Sequence, residues 1–135
     1  MPGTLEKFSY WLPRHHKSVA AARKLLREFL ADQPGGEPFI SNGELVLSEL
    51  VTNAVLHART APGRLIYMQF ELCPDLLRIE VHDADSTRPT LQPADCHDEA
   101  GRGLWLVSQL ASRWGCCPRV GGVGKAVWAM VGSGQ

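Results

Sequence analysis

Residues 41–58 read SNGELVLSELVTNAVLHA, in which apolar and polar side chains recur at helical spacing. A helix over this segment gathers its apolar residues on one face, namely Leu47, Leu50, Val51, Ala54 and Ala58. Ser41, followed three residues later by Glu44, has the pattern of a capping box and predicts that the helix begins at Ser41. Glu49, Asn53 and His57 are four residues apart and therefore share one side of this helix.

The chain before this helix predicts one strand and one further helix. A loosely alternating, aromatic-rich run predicts a strand over Leu5–Leu12, which Pro13 ends. The residues that follow have an apolar helical face made of Val19, Ala22, Leu26, Phe29 and Leu30. Residues 33–36, Gln-Pro-Gly-Gly, then break the helix.

The chain after residue 58 predicts four strands and a short helix. Leu65–Leu72 and Leu76–His82 indicate an antiparallel hairpin. A short helix over residues 104–111 precedes two closing strands, Trp114–Val120 and Lys125–Val131. This order predicts an α+β fold, a two-layer sandwich with helices on one face of a mixed, mainly antiparallel sheet. We expect a single domain over residues 1–135.

Composition excludes some classes of function. The 135 residues carry 14 Lys and Arg against 14 Asp and Glu, with a pI near 7.0. This balance argues against a general binder of nucleic acid or membrane surfaces. No apolar run approaches the roughly 18 residues that span a bilayer, so we expect a cytoplasmic protein whose four cysteines are reduced thiols.

The charge is unevenly distributed along the neutral chain. Residues 14–28 contain five cations and one acid, whereas residues 71–99 contain eight acids and two cations. The basic stretch is either an ordinary solvated face or a surface for a partner, and its composition does not decide between them.

Asn53 and Asp83 are the first two candidates for chemistry. Asn is a poor helix former in mid-helix, so Asn53 is either a buried amide that bonds a neighbouring strand or an oxygen ligand for Mg²⁺. Glu49, one turn earlier, could then accept a proton. Asp83 ends a predicted strand, where it either initiates a turn or accepts a hydrogen bond from an exocyclic amine such as that of adenine.

Two glycine clusters are candidates for a phosphate site. Gly101-Arg102-Gly103-Leu104 stands at the entry of the short helix, where free amides attract anions, although an ordinary loop-to-helix joint is also possible. The polar stretch from Asp83 to Gly103, with a lid at residues 84–100, predicts a functional loop or a disordered insertion. The second cluster, residues 121–125, does not fit a P-loop, because a strand rather than a helix follows Lys125.

The order of these motifs resembles the GHKL ATP-binding superfamily of gyrase, histidine kinases and heat-shock chaperones. That order is Glu-x-x-x-Asn on a helix, Asp at a strand end, a polar lid and Gly-x-Gly opening a helix. The segments ELVTNAVLHA, GRGLWLVSQLASRWG and GKAVWAMV are similar to the stand-alone bacterial branch related to anti-sigma factor serine kinases. The resemblance covers residues 5–131 and implies a Bergerat-type ATP-binding fold.

The resemblance also implies roles for individual residues. Asn53 would ligate the Mg²⁺ bound to ATP, and Glu49 would be the general base for an attacking serine hydroxyl. Asp83 would accept from the adenine amino group. The remaining nucleotide contacts are expected from the glycines and their neighbours, Asp85, Gly101, Arg102, Gly103, Leu104 and Lys125.

The resemblance implies the partners as well. An anti-sigma factor kinase phosphorylates a serine on an anti-anti-sigma partner, holds a sigma factor, or does both. It pairs as a homodimer, and Arg23 lies where partner contacts would fall. Two acids depart from the pattern: Asp85 replaces a glycine, and Glu99 replaces an arginine that could reach the terminal phosphate. A non-catalytic ATP-binding switch is therefore the alternative.

Overall fold

The computed structural model describes residues 6–57, 65–83, 107–118 and 125–134. The elements in chain order are β1 (Glu6–Pro13), α1 (Lys17–Ala31), a 3₁₀ turn (Glu37–Phe39), α2 (Ile40–His57), β2 (Leu65–Leu72), β3 (Leu77–Asp83), β4 (Ala111–Pro118) and β5 (Lys125–Val131). Residues 107–110 are helical. The short helix predicted over residues 104–111 therefore ends one residue early, and β4 begins three residues before the predicted Trp114.

The five strands form one sheet in the order β1-β2-β3-β5-β4. All four strand pairings in the described part of the chain are antiparallel. The parallel pair that a mixed sheet would contain is not found among them. Helix α2 packs on β3 and β5, and α1 packs on α2 and β1. The predicted α+β sandwich, with helices on one face of a mainly antiparallel sheet, is confirmed.

The strand registers define two ends of the sheet. Pro13 pairs with Leu65, Tyr67 with His82, and Asp83 with Lys125, which in turn pairs with Pro118. We call this the Asp83 end; the opposite, Leu77 end is formed by Glu6, Leu72, Leu77, Ala111 and Val131. The outermost strands, β1 and β4, each terminate in a proline at the Asp83 end.

The hydrophobic core lies between the sheet and the helices. Alternate residues of β2 and β3 are buried, whereas the residues between them are half-buried on the other face. The helices contribute one buried stripe each, and the largest fully buried side chains are Leu26, Leu30, Leu47, Leu50, Ile66, Met68, Phe70, Leu77 and Ile79. The predicted apolar faces of α1 and α2 are confirmed for eight buried residues, namely Ala22, Leu26, Phe29, Leu30, Leu47, Leu50, Val51 and Ala54. Val19 is half-buried, Ala58 lies outside the described residues, and Val46 is an additional buried residue of α2.

The capping box predicted at Ser41 is not formed. Helix α2 begins at Ile40, directly after the 3₁₀ turn, so Ser41 is already helical and exposed. Glu44 instead accepts two hydrogen bonds from Arg27 on α1, with Nε at 2.8 Å and Nη2 at 3.2 Å. This hydrogen bonding by the Arg27 guanidinium lowers the pKa of the Glu44 carboxyl below its ordinary value. The capping-box prediction is wrong because the Glu44 carboxylate bonds to Arg27, which lies on another helix and is not adjacent in sequence.

Gly43 allows α2 to approach the sheet and α1 closely. A Cβ at this position would lie 2.9 Å from Leu77 Cδ2 and 3.2 Å from Leu26 Cδ2, distances that require one of the side chains to shift. Both leucines are fully buried and packed in the core. Gly43 therefore fixes the depth at which the N-terminal part of α2 sits over the Leu77 end.

Two further observations concern predictions from composition. No helix among the described residues is long and apolar enough to cross a bilayer. Cys73 is a free thiol, and burial raises its pKa above the ordinary value. Cys116 is disulfide-bonded, so the expectation that all four cysteines are reduced is wrong for this residue.

Gly43→Val tests whether the close approach of α2 controls stability. The added carbons would overlap the Leu77 and Leu26 side chains, and we expect the free energy of unfolding to fall by about 2 to 3 kcal/mol. Leu45→Val is the matched control, because Leu45 is 48 % exposed two residues along the same helix and should cost under about 0.5 kcal/mol. Urea denaturation measures both values, and equal losses would contradict the packing argument.

Candidate functional site

Asp83 is a buried carboxylic acid at the last position of β3. Only 4 % of it is exposed. Because burial alternates along the strand, Asp83 shares the helix-facing side of the sheet with Leu77, Ile79 and Val81. A row of three apolar side chains thus ends in a carboxylate at the Asp83 end, beneath the helix layer.

Helix α2 runs from the Leu77 end of the sheet towards the Asp83 end. Its N-terminal part contacts Leu77 through Gly43, and Asn42 Nδ2 donates to the Ser133 carbonyl, just beyond β5, at 3.5 Å. At the other extremity of α2, Nη1 of Arg14 donates to the Val55 carbonyl at 3.4 Å. Arg14 directly follows Pro13, which belongs to the Asp83 end. The C-terminal half of α2 therefore lies at the same end of the sheet as Asp83.

Glu49 and Asn53 occupy this C-terminal half of α2. Both are half-buried, and they flank the stripe formed by Leu50 and Ala54 instead of belonging to it. Their spacing of four residues places them on one side of the helix, as predicted. The fold thus brings one carboxylate and one amide on α2 to the end of the sheet that holds the Asp83 carboxylate.

The chemistry of these donors fits ATP with Mg²⁺. A buried carboxylate accepts hydrogen bonds and suits the exocyclic amine of adenine. The amide oxygen of Asn53 is a hard ligand of the type that Mg²⁺ takes from proteins, alongside substrate phosphates and water. The Glu49 carboxylate, one turn away, can accept a proton when ionised.

The outward face of the sheet carries a different set of polar groups. Glu80 accepts hydrogen bonds from Arg78 and from Nε2 of His82, the latter at 2.8 Å. The Arg78 guanidinium also stacks over the Trp128 ring, 5.5 Å from its centroid. Because these residues alternate with Ile79, Val81 and Asp83, they face away from the helices and from the candidate site.

Several predicted site residues lie outside the described part of the chain. These are Asp85, Gly101, Arg102, Gly103 and Leu104, together with the predicted lid and the Lys125 side chain. The backbone of Lys125 is described and pairs with Asp83 across β3 and β5. Of the predicted site residues, the described side chains at the Asp83 end are therefore Glu49, Asn53 and Asp83.

Arg14 is a residue at this end that the sequence did not single out. In the sequence it is one of five cations in a basic stretch, with no motif around it. Its bond to Val55 joins residues 41 positions apart, so only the folded structure brings them together. The sequence signal for Arg14 would have been an arginine directly after the proline that ends a strand. That pattern is too common to identify a site residue.

Comparison with known proteins identifies the family of this chain. The family model described as the histidine kinase-like ATPase domain matches residues 12–130. A search of curated proteins finds no match. The matched segment begins at the end of β1 and runs through most of β5, so it includes Glu49, Asn53 and Asp83.

The chain therefore belongs to the histidine kinase-like ATPase domain family. Domains of this GHKL type bind ATP, typically with Mg²⁺. An ATP-binding regulatory function is accordingly supported for this chain.

Proposed function

We propose that this protein is an ATP-binding regulator of the anti-sigma factor type, which phosphorylates a serine on an anti-anti-sigma partner, sequesters a sigma factor, or does both. The observation that carries the proposal is the meeting of Asp83 with the Glu49 and Asn53 half of α2 at one end of a family-typical sheet. The similarity of residues 49–58 and 101–115 to the stand-alone kinase branch supports the finer assignment.

Asp83 and Asn53 recognise different parts of the nucleotide in this proposal. The Asp83 carboxylate accepts a hydrogen bond from the adenine amine, and its burial excludes water that would compete for that bond. The Asn53 amide oxygen holds Mg²⁺, which when bound neutralises charge on the phosphates. The glycines of residues 101–103 and the Lys125 side chain supply the remaining phosphate contacts.

Glu49 acts on the partner serine. Its carboxylate accepts the hydroxyl proton while the serine oxygen bonds to the terminal phosphorus of ATP and the bond from that phosphorus to the ADP oxygen breaks. The products are phosphoserine, ADP and a proton on Glu49 that passes to water. Glu49 is half-buried, so it can be reached by a bound partner while it remains on a rigid helix.

Asp83→Ala tests the nucleotide site. Removal of a charged acceptor from a buried hydrogen bond should weaken Mg²⁺-ATP binding by about 10- to 100-fold. Isothermal titration calorimetry with Mg²⁺, and again with EDTA, measures this affinity. Glu80→Ala is the control on the same strand, because Glu80 faces the other side of the sheet. Undiminished ATP affinity in Asp83→Ala would rule out the role given to this carboxylate.

Glu49→Ala separates transfer from binding. Without the general base, phosphorylation of a cognate partner should fall by about 100-fold or more, while Mg²⁺-ATP affinity changes little. Transfer of labelled terminal phosphate to the partner serine measures the first quantity, and calorimetry the second. Full transfer activity in this variant would remove Glu49 from the mechanism.

A second function is favoured by two acids in the sequence. Asp85 stands where the family pattern has a glycine, and Glu99 where it has an arginine near the terminal phosphate. Acids beside a triphosphate oppose its binding and its transfer unless a cation intervenes. In this alternative ATP is a switching ligand, and the protein binds its partner without phosphorylating it. Labelled phosphate on the partner would reject the alternative.

We place the partner surface on α1 and the N-terminal half of α2. An open groove of about 600 Å³ lies between these helices, and its lining residues are Arg23, Glu37, Ile40, Ser41, Glu44, Leu45 and Ser48. Arg23 is exposed there, and Leu45 is 48 % exposed. A cation beside an exposed leucine suits a partner helix that presents an acid and an apolar side chain.

Arg23→Glu tests this surface. Charge reversal opposite an acidic side chain should weaken partner binding by about tenfold or more without changing ATP affinity. Surface plasmon resonance with the cognate partner measures the effect, and Lys7→Glu on β1 is a control reversal of another exposed cation. Partner affinity that is unchanged in Arg23→Glu would place the contact elsewhere.

A further inference from the structure

The two halves of α2 are held by different kinds of contact. Up to Val51 the helix is buried deeply, with Gly43, Val46, Leu47 and Leu50 packed against the sheet and α1. After Val51 the only buried side chain described on the helix is Ala54, and Leu56 is 69 % exposed. The part of α2 that carries Asn53 therefore depends less on core packing than the part that precedes it.

Arg14 supplies a polar contact to this last part of α2. Its Nη1 donates to the Val55 carbonyl at 3.4 Å, and its Nε atom is shut off from solvent. The last carbonyls of a helix have no partners within the helix, and the negative end of the helix dipole attracts a cation. The Arg14 guanidinium therefore stabilises the final turn of α2 by a hydrogen bond to the Val55 carbonyl and by its charge at the negative end of the helix dipole.

The turn between β1 and α1 holds Arg14 in place. Ser18 Oγ donates to the Pro13 carbonyl at 2.6 Å, and the His15 amide donates to the same carbonyl at 2.9 Å. Ser18 is buried, with 3 % exposure. The backbone on both sides of Arg14 is thus fixed to the end of the sheet that also contains Asp83.

We infer that Arg14 is a positioning residue of the nucleotide site. Arg14 joins the turn after β1 to the end of α2 and so sets the position of Asn53 relative to Asp83. That relative position determines whether one nucleotide can contact both residues at once. This inference rests on the proposed function, since it assigns adenine to Asp83 and the Mg²⁺-bound phosphates to Asn53. Arg14 itself needs no contact with the nucleotide.

The inference predicts that loss of Arg14 affects one end of the nucleotide more than the other. In Arg14→Ala, Mg²⁺-ATP affinity should fall by about three- to tenfold, whereas adenosine affinity, which reports on Asp83, should stay unchanged. Arg14→Lys should restore part of the loss, because a lysine can still donate to a helix C-terminal carbonyl. Lys17→Ala, which removes an exposed cation from the first residue of α1, should behave as wild type.

Calorimetric titrations with Mg²⁺-ATP and with adenosine, together with thermal unfolding of each variant, test the inference. Amide hydrogen exchange provides a readout without nucleotide, and it should quicken over residues 54–57 in Arg14→Ala. Equal losses of adenosine and Mg²⁺-ATP affinity with a lowered Tm would reduce Arg14 to a structural residue and overturn the inference. Unchanged Mg²⁺-ATP affinity in Arg14→Ala would overturn the role of Arg14 and leave the proposed function standing. A wild-type protein that binds no ATP would instead overturn the proposed function itself.

Discussion

The contact of Gly43 with Leu77 and Leu26 is the constraint on which the rest of the structure depends. It fixes one extremity of α2 against the sheet at the place where β3 begins. Since α2 has 18 residues and β3 has seven, fixing their starts also determines which helix residues lie near the end of the strand. The polar residues of α2 therefore lie at the Asp83 end of the sheet because apolar packing fixes the helix at the opposite end.

Much of the fold was predictable because its signals are local. Runs of β-forming residues predicted the hairpin of β2 and β3 and the strand β5, and helical spacing predicted the buried faces of α1 and α2. Each of these patterns arises because one side of a helix or strand faces the core. The pattern is therefore complete within the sequence of that one element. Asn53 and Asp83 became candidate site residues because each departs from such a pattern, and Glu49 because it lies one turn before Asn53.

The features that the sequence did not predict depend on pairs of distant residues. Glu44 matches a capping box, yet it accepts hydrogen bonds from Arg27 on the neighbouring helix, and the 3₁₀ turn leads directly into α2. Arg14 and Val55 are likewise brought together by the fold. Local propensity carries no information about such partners, because either residue alone would look unremarkable in the sequence.

The prolines that end β1 and β4 have a consequence for how this domain associates with other chains. A proline has no amide hydrogen to offer a further strand, and these two close both margins of the sheet at its Asp83 end. Growth of the sheet by strand addition is thereby disfavoured at the end that holds the candidate site. Partners of this domain are accordingly expected to bind through its helices or loops at that end, not by extending the sheet.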